Sequence, residues 1–237
     1  MKHNELLLPE EDRLRLTQLL FDEGIFGIKE NPHDYITLKN GRKSPHYIDL
    51  RQGITPYELR TDISLAMYDL ALARVHKYGK QALKDMYDYL AGTPEAVTSY
   101  VPRVADEEEM DLLQPRVLTE KARGNKAPIL GRVVMDRHVA AFDDVITDGE
   151  SKIDAIKVFD HAGLKVVDYF VVVDREEGGA AEVKSSTGID IVPALPVSEM
   201  AIMLAAENSI TQTQFDNIRE YLGEYGDEGA KTVVAAA

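Results

Sequence analysis

HVAAFDDVITDGESKIDAIKVFDHAGLKVVDYFVVV, residues 138–173, decides the fold. His138 to Phe142 is a short apolar run that reads as a strand. A polar loop follows, and a helix is expected from about Lys152 to His161, closed by Gly163. Lys165 to Val173 is rich in β-branched residues and reads as a second strand. Strand, loop, helix and strand in about 36 residues make a βαβ unit, so the two strands should be parallel neighbours.

The rest of the chain extends that unit. Residues 10–26 place Leu14, Leu16, Leu19, Leu20 and Phe21 at roughly helical spacing, ending near Gly24. Residues 34–50 read as a hairpin turned at Asn40-Gly41, with Tyr35, Ile36 and Leu38 leading in and Tyr47, Ile48 and Leu50 leading out. Residues 57–89 are helical in composition with a break at Tyr78-Gly79, and Asp88 to Ala91 enters a core strand. The acidic run 105–111 reads as a solvated helix face or loop. The basic segment 116–137 reads as a loop running into a strand near 132–135. A further strand is expected at 189–192, ahead of Pro193 and Pro196, then helices at 198–206 and 213–223 and a frayed tail from Asp227. The fold class is α/β, a central mostly parallel sheet flanked by helices. Residues 1–237 form one domain, with about 1–55 as a small N-terminal hood.

Composition narrows the function. The chain has 237 residues, 44% hydrophobic and 29% charged, and no cysteine, which excludes a disulfide scaffold, a thiolate zinc site and a cysteine nucleophile. No apolar run of about 18 residues signals a membrane span. The charged N-terminus lacks a secretory signal, so the cytoplasm is the expected location. A formal charge of −14 repels nucleic acid and anionic membrane, so neither is an expected partner. The histidines show no metal-ligand spacing, so no dedicated metal site is expected.

The chemistry lies in Asp143-Asp144-Val145-Ile146-Thr147-Asp148-Gly149-Glu150-Ser151. Two acids stand at the carboxyl end of a parallel strand, where open α/β sheets bind ligands. The loop opens a helix whose free N–H groups suit a phosphate. Thr147 and Ser151 add hydroxyl donors, and Gly149 admits close backbone approach. Carboxylates do not want a phosphate beside them, but they accept hydrogen bonds from sugar hydroxyls. The local chemistry therefore reads as a sugar phosphate. The plainer alternative has the acids ending a strand and Ser151 capping a helix.

This stretch resembles the phosphoribosyl pyrophosphate (PRPP) signature of type I phosphoribosyltransferases. LKNGRKSPHYIDLR (38–51), VVVDREEGG (171–179) and DYLAGT (88–93) are similar to segments of the branch of that family that acts on orotate. The resemblance implies that Asp143 and Asp144 bind the ribose hydroxyls of PRPP. Residues 147–151 would hold its 5-phosphate, so the PRPP set runs from Asp143 through Ser151. Thr147 and Arg175 would face orotate, Lys39 would contact PRPP or orotate, and Tyr47 and Ile48 would line the base pocket. Without the family, Arg175 reads as a surface ion pair with Glu176 or Glu177, and Tyr47 as a half-buried strand aromatic.

The family's lysine-bearing loop, given by the neighbouring subunit of a homodimer, corresponds to 116–131. Its expected cations are Lys121, Arg123 and Lys126, with Lys121 and Asp144 in catalytic roles and Mg²⁺ carried by PRPP. The pattern departs from the family at Val117 and Leu118, at Thr93–Val97 and at Asp148 and Glu150. A transferase for another base and a catalytically weak PRPP-binding regulator are the alternatives.

Overall fold

The computed structural model describes residues 7–38, 41–95, 97–116 and 128–237. In chain order the elements are α1 (Glu10–Asp22), β1 (Phe26–Ile28), β2 (Ile36–Thr37), β3 (Lys43–Ser44), β4 (His46–Ile48), α2 (Tyr57–Lys77), β5 (Tyr89–Gly92), α3 (Val101–Glu107) and β6 (Asp111–Pro115). They continue as β7 (Ile129–Leu130), β8 (His138–Ile146), α4 (Glu150–His161), β9 (Lys165–Asp174), α5 (Gly179–Thr187), β10 (Asp190–Pro196), α6 (Val197–Ala206), α7 (Gln212–Tyr225) and α8 (Glu228–Ala236).

A six-stranded sheet takes the order β10-β9-β8-β5-β6-β7. Every neighbouring pair is parallel except β6 with β7. Strand alternation divides its side chains between two cores. On one face Leu90, Ala140, Phe142, Phe170 and Val172 meet Ile63 and Met67 of α2 and the C-terminal helices. On the other, Ala91, Val139, Ala141, Tyr169 and Val171 meet Ile156 and Phe159 of α4 and Val183 of α5. The sheet is thus covered on both sides, as parallel sheets are. Among the described residues no helix is long and apolar enough to cross a membrane.

Several sequence expectations need correction. The hairpin is divided: β2 pairs with β3, while β4 pairs antiparallel with β1, so Tyr47 and Ile48 belong to a separate two-stranded hood sheet. The strand expected near 132–135 is instead β7 at 129–130, and β6, not foreseen, is its partner. β10 runs through both prolines. Among the described residues it is an edge strand, paired only with β9, and it ends on Pro196, positions where a sheet tolerates proline. The segment after Asp227 is a helix, capped by Asp227 accepting from the Ala230 N–H at 2.9 Å and buried at Ala230 and Val234.

Candidate active site

Chain direction fixes where a ligand fits. From β5 the chain crosses to β6 on one side, while β8 lies on the other side of β5. The crevice outside the carboxyl ends of β5 and β8 is therefore a topological switch point. The Thr93 N–H donates to the Phe142 carbonyl at 2.8 Å and brings the two strand ends together there.

The paired acids lie inside β8, shortly before its carboxyl end at Ile146 rather than after it as expected, and the strand's period of two sends them to opposite faces. Asp143 follows Val139 and Ala141 toward α4. There the Lys152 ammonium lies 2.6 Å from its carboxylate, with both side chains under a tenth exposed. Burial pushes the Asp143 carboxyl up from the usual carboxylate range, Lys152 pulls it down, and Asp144 next to it adds to the rise. Tyr169 also touches Asp143, and its hydroxyl lies 2.6 Å from Thr93 Oγ1. Asp144 follows Ala140 and Phe142 toward the hood. Its electrostatic neighbours include Tyr100, just before α3, and Arg51. Arg51 is held by Asp49 at 2.7 Å and reaches the Tyr47 hydroxyl at 3.4 Å.

The loop after the acids is shaped by its contact with the next one. Gly149 has φ +83°, and a Cβ there would stand 2.7 Å from the Gly179 carbonyl oxygen. A Cβ on Gly179 would stand 2.5 Å from the Thr147 carbonyl oxygen. Only glycines let the loops ending β8 and β9 lie this close. The Gly179 N–H donates to Thr147 O at 3.0 Å, and the Arg175 N–H to Ile146 O at 3.0 Å. Val145 and Ile146 are already engaged: the Val145 N–H donates to Asp144 Oδ1 at 2.7 Å, its side chain packs against one core, and the Ile146 side chain is buried in the other. Asp148 Oδ1 accepts from the Glu150 N–H at 3.2 Å, so a carboxylate rests on an amide at the helix start. Glu150 and Ser151 are exposed on the first turn of α4.

At the end of β9 the ion pair anticipated for Arg175 exists, but it is buried rather than superficial. Arg175 Nε donates to Glu177 Oε1 at 2.8 Å, with side-chain exposures of 6% and 2%. Its Nη2 donates to Ser44 Oγ at 3.3 Å. Glu177 also accepts from the Tyr221 hydroxyl at 3.1 Å and from Arg42 Nη1 at 3.3 Å. Glu176 turns the other way, at φ +59°, and caps α6 by accepting from Ser198 N–H at 2.7 Å and Ser198 Oγ at 2.9 Å. Burial pushes both Asp174 and Glu176 up to about 7, against the hydrogen bonds that they accept. His46 is fully buried between Phe26 and Tyr221, and burial, then the charge of Arg175, holds it well below its ordinary value.

The structure therefore gathers Asp143, Asp144, Thr147, Gly149 and Arg175 at two adjacent strand ends, with Tyr47 above them beside Arg51. Ile48 is buried in the core under the hood, so of that pair only Tyr47 is carried forward. Lys39, Lys121, Arg123 and Lys126 lie outside the described residues. Sequence reasoning missed Lys152 and Arg51. Lys152 had a signal: it shares the buried face of α4 with Ile156 and Phe159, at i, i+4 and i+7. A cleft of about 680 Å³, lined by Tyr35, Arg42, Lys43, Tyr221 and Tyr225 among others, lies between hood and α7 rather than at the acids. Among the described residues no group of three or more histidines and carboxylates is placed to hold a metal.

No protein-family profile matches the chain. It is 31% identical over 188 residues to the orotate phosphoribosyltransferase of Pyrococcus horikoshii, covering 78% of this chain and 91% of that one. With the orotate phosphoribosyltransferase of Thermoplasma volcanium the identity is 29% over 167 residues, covering 70% and 90%. Among solved structures, Leishmania donovani UMP synthase superposes with a TM-score of 0.72 at 29% identity, covering 90% of this chain and 42% of that chain. The PRPP complex of the Mycobacterium tuberculosis orotate phosphoribosyltransferase superposes with a TM-score of 0.58, covering 80% of this chain and 98% of that chain; at 20% identity it bears on the fold alone.

Proposed function

Because the chain belongs to the orotate phosphoribosyltransferase family, we propose that it transfers the 5-phosphoribosyl group of PRPP to orotate, giving orotidine 5′-phosphate and pyrophosphate. The observation that carries this reading is the joining of two loops. The amides after β8 and the guanidinium after β9 are tied by Arg175 N–H to Ile146 O and Gly179 N–H to Thr147 O. In this reading the loop after β8 is the phosphoribosyl cradle, and Arg175 on the adjacent strand reads the carboxylate.

The reaction is displacement at the anomeric carbon. The bond to pyrophosphate breaks, a ring nitrogen of orotate bonds in its place, and positive charge builds on the ribose between them. No protein nucleophile is required, and the work is positioning and electrostatics. Asp144, on the hood side, accepts from the ribose hydroxyls and lies close to the developing positive charge. Asp143 keeps Lys152, so its share in holding the ribose is smaller. The amides of Thr147 to Ser151 take the 5-phosphate once Asp148 leaves the Glu150 N–H. Arg175 pairs with the planar carboxylate of orotate, a match that guanidinium makes in bidentate fashion.

Mg²⁺ fits as a ligand-borne ion rather than one in a protein cage. Asp144 and the ribose hydroxyls that it binds are the oxygens available to steady it, and it supplies charge neutralisation on the leaving pyrophosphate. Family resemblance assigns Lys121, Arg123 and Lys126 to the same leaving group, Lys39 to PRPP, and a homodimer as the working assembly. Lys121→Ala should lower kcat, and sedimentation should report the dimer.

The direct test is PRPP-dependent loss of orotate with Mg²⁺ present. Turnover with orotate, and none with adenine, hypoxanthine or uracil, is the expected result. Turnover with a purine, or PRPP binding without turnover, contradicts the reading.

A further inference from the structure

The surroundings of Glu177 reach beyond the two strand ends. Its carboxylate is almost fully buried, yet the groups on it come from separate parts of the chain. Arg175 Nε belongs to its own loop, Arg42 Nη1 to the hood and the Tyr221 hydroxyl to α7. The consequence for Arg175 is geometric. Glu177 takes the Nε edge of the guanidinium, and Ser44 Oγ takes one Nη2 proton. Ser44 is fixed in turn, donating to His46 O at 2.8 Å and accepting from His46 N–H at 3.3 Å. The Tyr221 hydroxyl that donates to Glu177 is also in hydrogen-bond contact with Arg175, so Glu177, Ser44 and Tyr221 together fix the plane and direction of the guanidinium.

We infer that Glu177 is a positioning residue: held by Tyr221 and Arg42, it aims the Arg175 guanidinium at the base, so helix α7 takes part in base recognition. This rests on the reading of Arg175 as the group that meets the orotate carboxylate.

Charge and packing support it. An arginine this buried needs a counter-charge, which an acid in any direction would satisfy. Glu177 meets the Nε edge, which sets the direction of the guanidinium as well as neutralising it. The Tyr221 ring that donates to it is itself set by an edge-on contact with His46, at 5.3 Å between ring centroids. Both ring nitrogens of His46 are buried without a hydrogen-bond partner among the described residues, so His46 serves there as a neutral packing wall. Tyr221 and Arg42 also line the 680 Å³ cleft, so the support of Glu177 reaches an open surface.

The experiment compares Michaelis constants for the two substrates in Glu177→Gln, Tyr221→Phe and Arg175→Lys. Glu177→Gln keeps the shape and removes the charge. It should raise KM for orotate about tenfold, the worth of one charge-assisted hydrogen bond, and leave kcat/KM for PRPP within about twofold. Tyr221→Phe removes one donor and should raise KM for orotate about threefold with the same selectivity. If Glu177→Gln does not fold, Tyr221→Phe decides. A loss shared equally between both substrates marks general destabilisation and overturns the inference. If Arg175→Lys raises KM for orotate while the other two variants leave it unchanged, the positioning role of Glu177 falls and the reading of Arg175 stands. If Arg175→Lys leaves KM for orotate unchanged, both fall.

Discussion

The carboxyl ends of β8 and β9 lie side by side, and each buries an ion pair of opposite sense. At β8 the buried acid Asp143 is paired with Lys152 from the following helix, at 2.6 Å, and Asp144 beside it faces the hood. At β9 the buried cation Arg175 is paired with Glu177, at 2.8 Å. The difference fits the two halves of the proposed chemistry. Sugar hydroxyls need acceptors, and a carboxylated base needs donors. It also shows a shared constraint, since a lone buried charge costs several kcal/mol and each is given a partner.

The strongest way to break this comparison is to remove one backing charge. Lys152→Met should leave Asp143 buried and unpaired, at a cost of about 3–5 kcal/mol in unfolding free energy by denaturant titration. The double variant with Asp143→Asn should recover most of that loss. A single-variant loss below about 1 kcal/mol would mean that the β8 pair is not the buried couple described.

Asp144→Asn sharpens the contrast between the two neighbouring acids. It should cut kcat/KM for PRPP about a hundredfold, equivalent to nearly 3 kcal/mol of charge-assisted hydrogen bonding, with little change in the unfolding midpoint. Equal effects on stability from Asp143→Asn and Asp144→Asn would erase the distinction.

A third test concerns the two buried carboxyls at the β9 end. Asp174 and Glu176 are both raised to about 7. The folded chain therefore holds protons that the unfolded chain has released between about pH 4 and pH 7. Their contribution to stability is fully present below the unfolded values and lost as pH rises through 7. The unfolding midpoint should be higher at pH 6 than at pH 8, and Glu176→Gln should flatten that slope. An unchanged slope in Glu176→Gln would remove Glu176 from the account.

The smallest expected effect is at Asp148. Its carboxylate rests on the Glu150 N–H that the 5-phosphate would use. Asp148→Ser should lower KM for PRPP by roughly threefold, as one competing hydrogen bond and one like charge are removed. A raised KM would mean that Asp148 assists binding.

Much of this was legible in the sequence. The apolar run 138–142 and the β-branched run 165–173 announced parallel strands, and the loop between them announced the ligand end. The splitting of Asp143 from Asp144 was not anticipated: the two acids were read together as ribose ligands, although strand period two sends neighbours to opposite faces. Other features depended on tertiary context. Proline inside β10 is tolerated because that strand is an edge, which local sequence does not state. Tyr47 and Ile48 joined a different sheet because β1, twenty residues earlier, offered a better partner than the hairpin arm. The surface pair expected of Arg175 became a buried one because Arg42 and Tyr221, from distant segments, close over Glu177.

The most direct measurement is a crystal structure of this chain with PRPP and Mg²⁺. The account predicts the 5-phosphate on the amides of Thr147 to Ser151, with Asp148 turned away from Glu150, and the ribose hydroxyls on Asp144. PRPP held elsewhere, for example in the cleft between hood and α7, would contradict it.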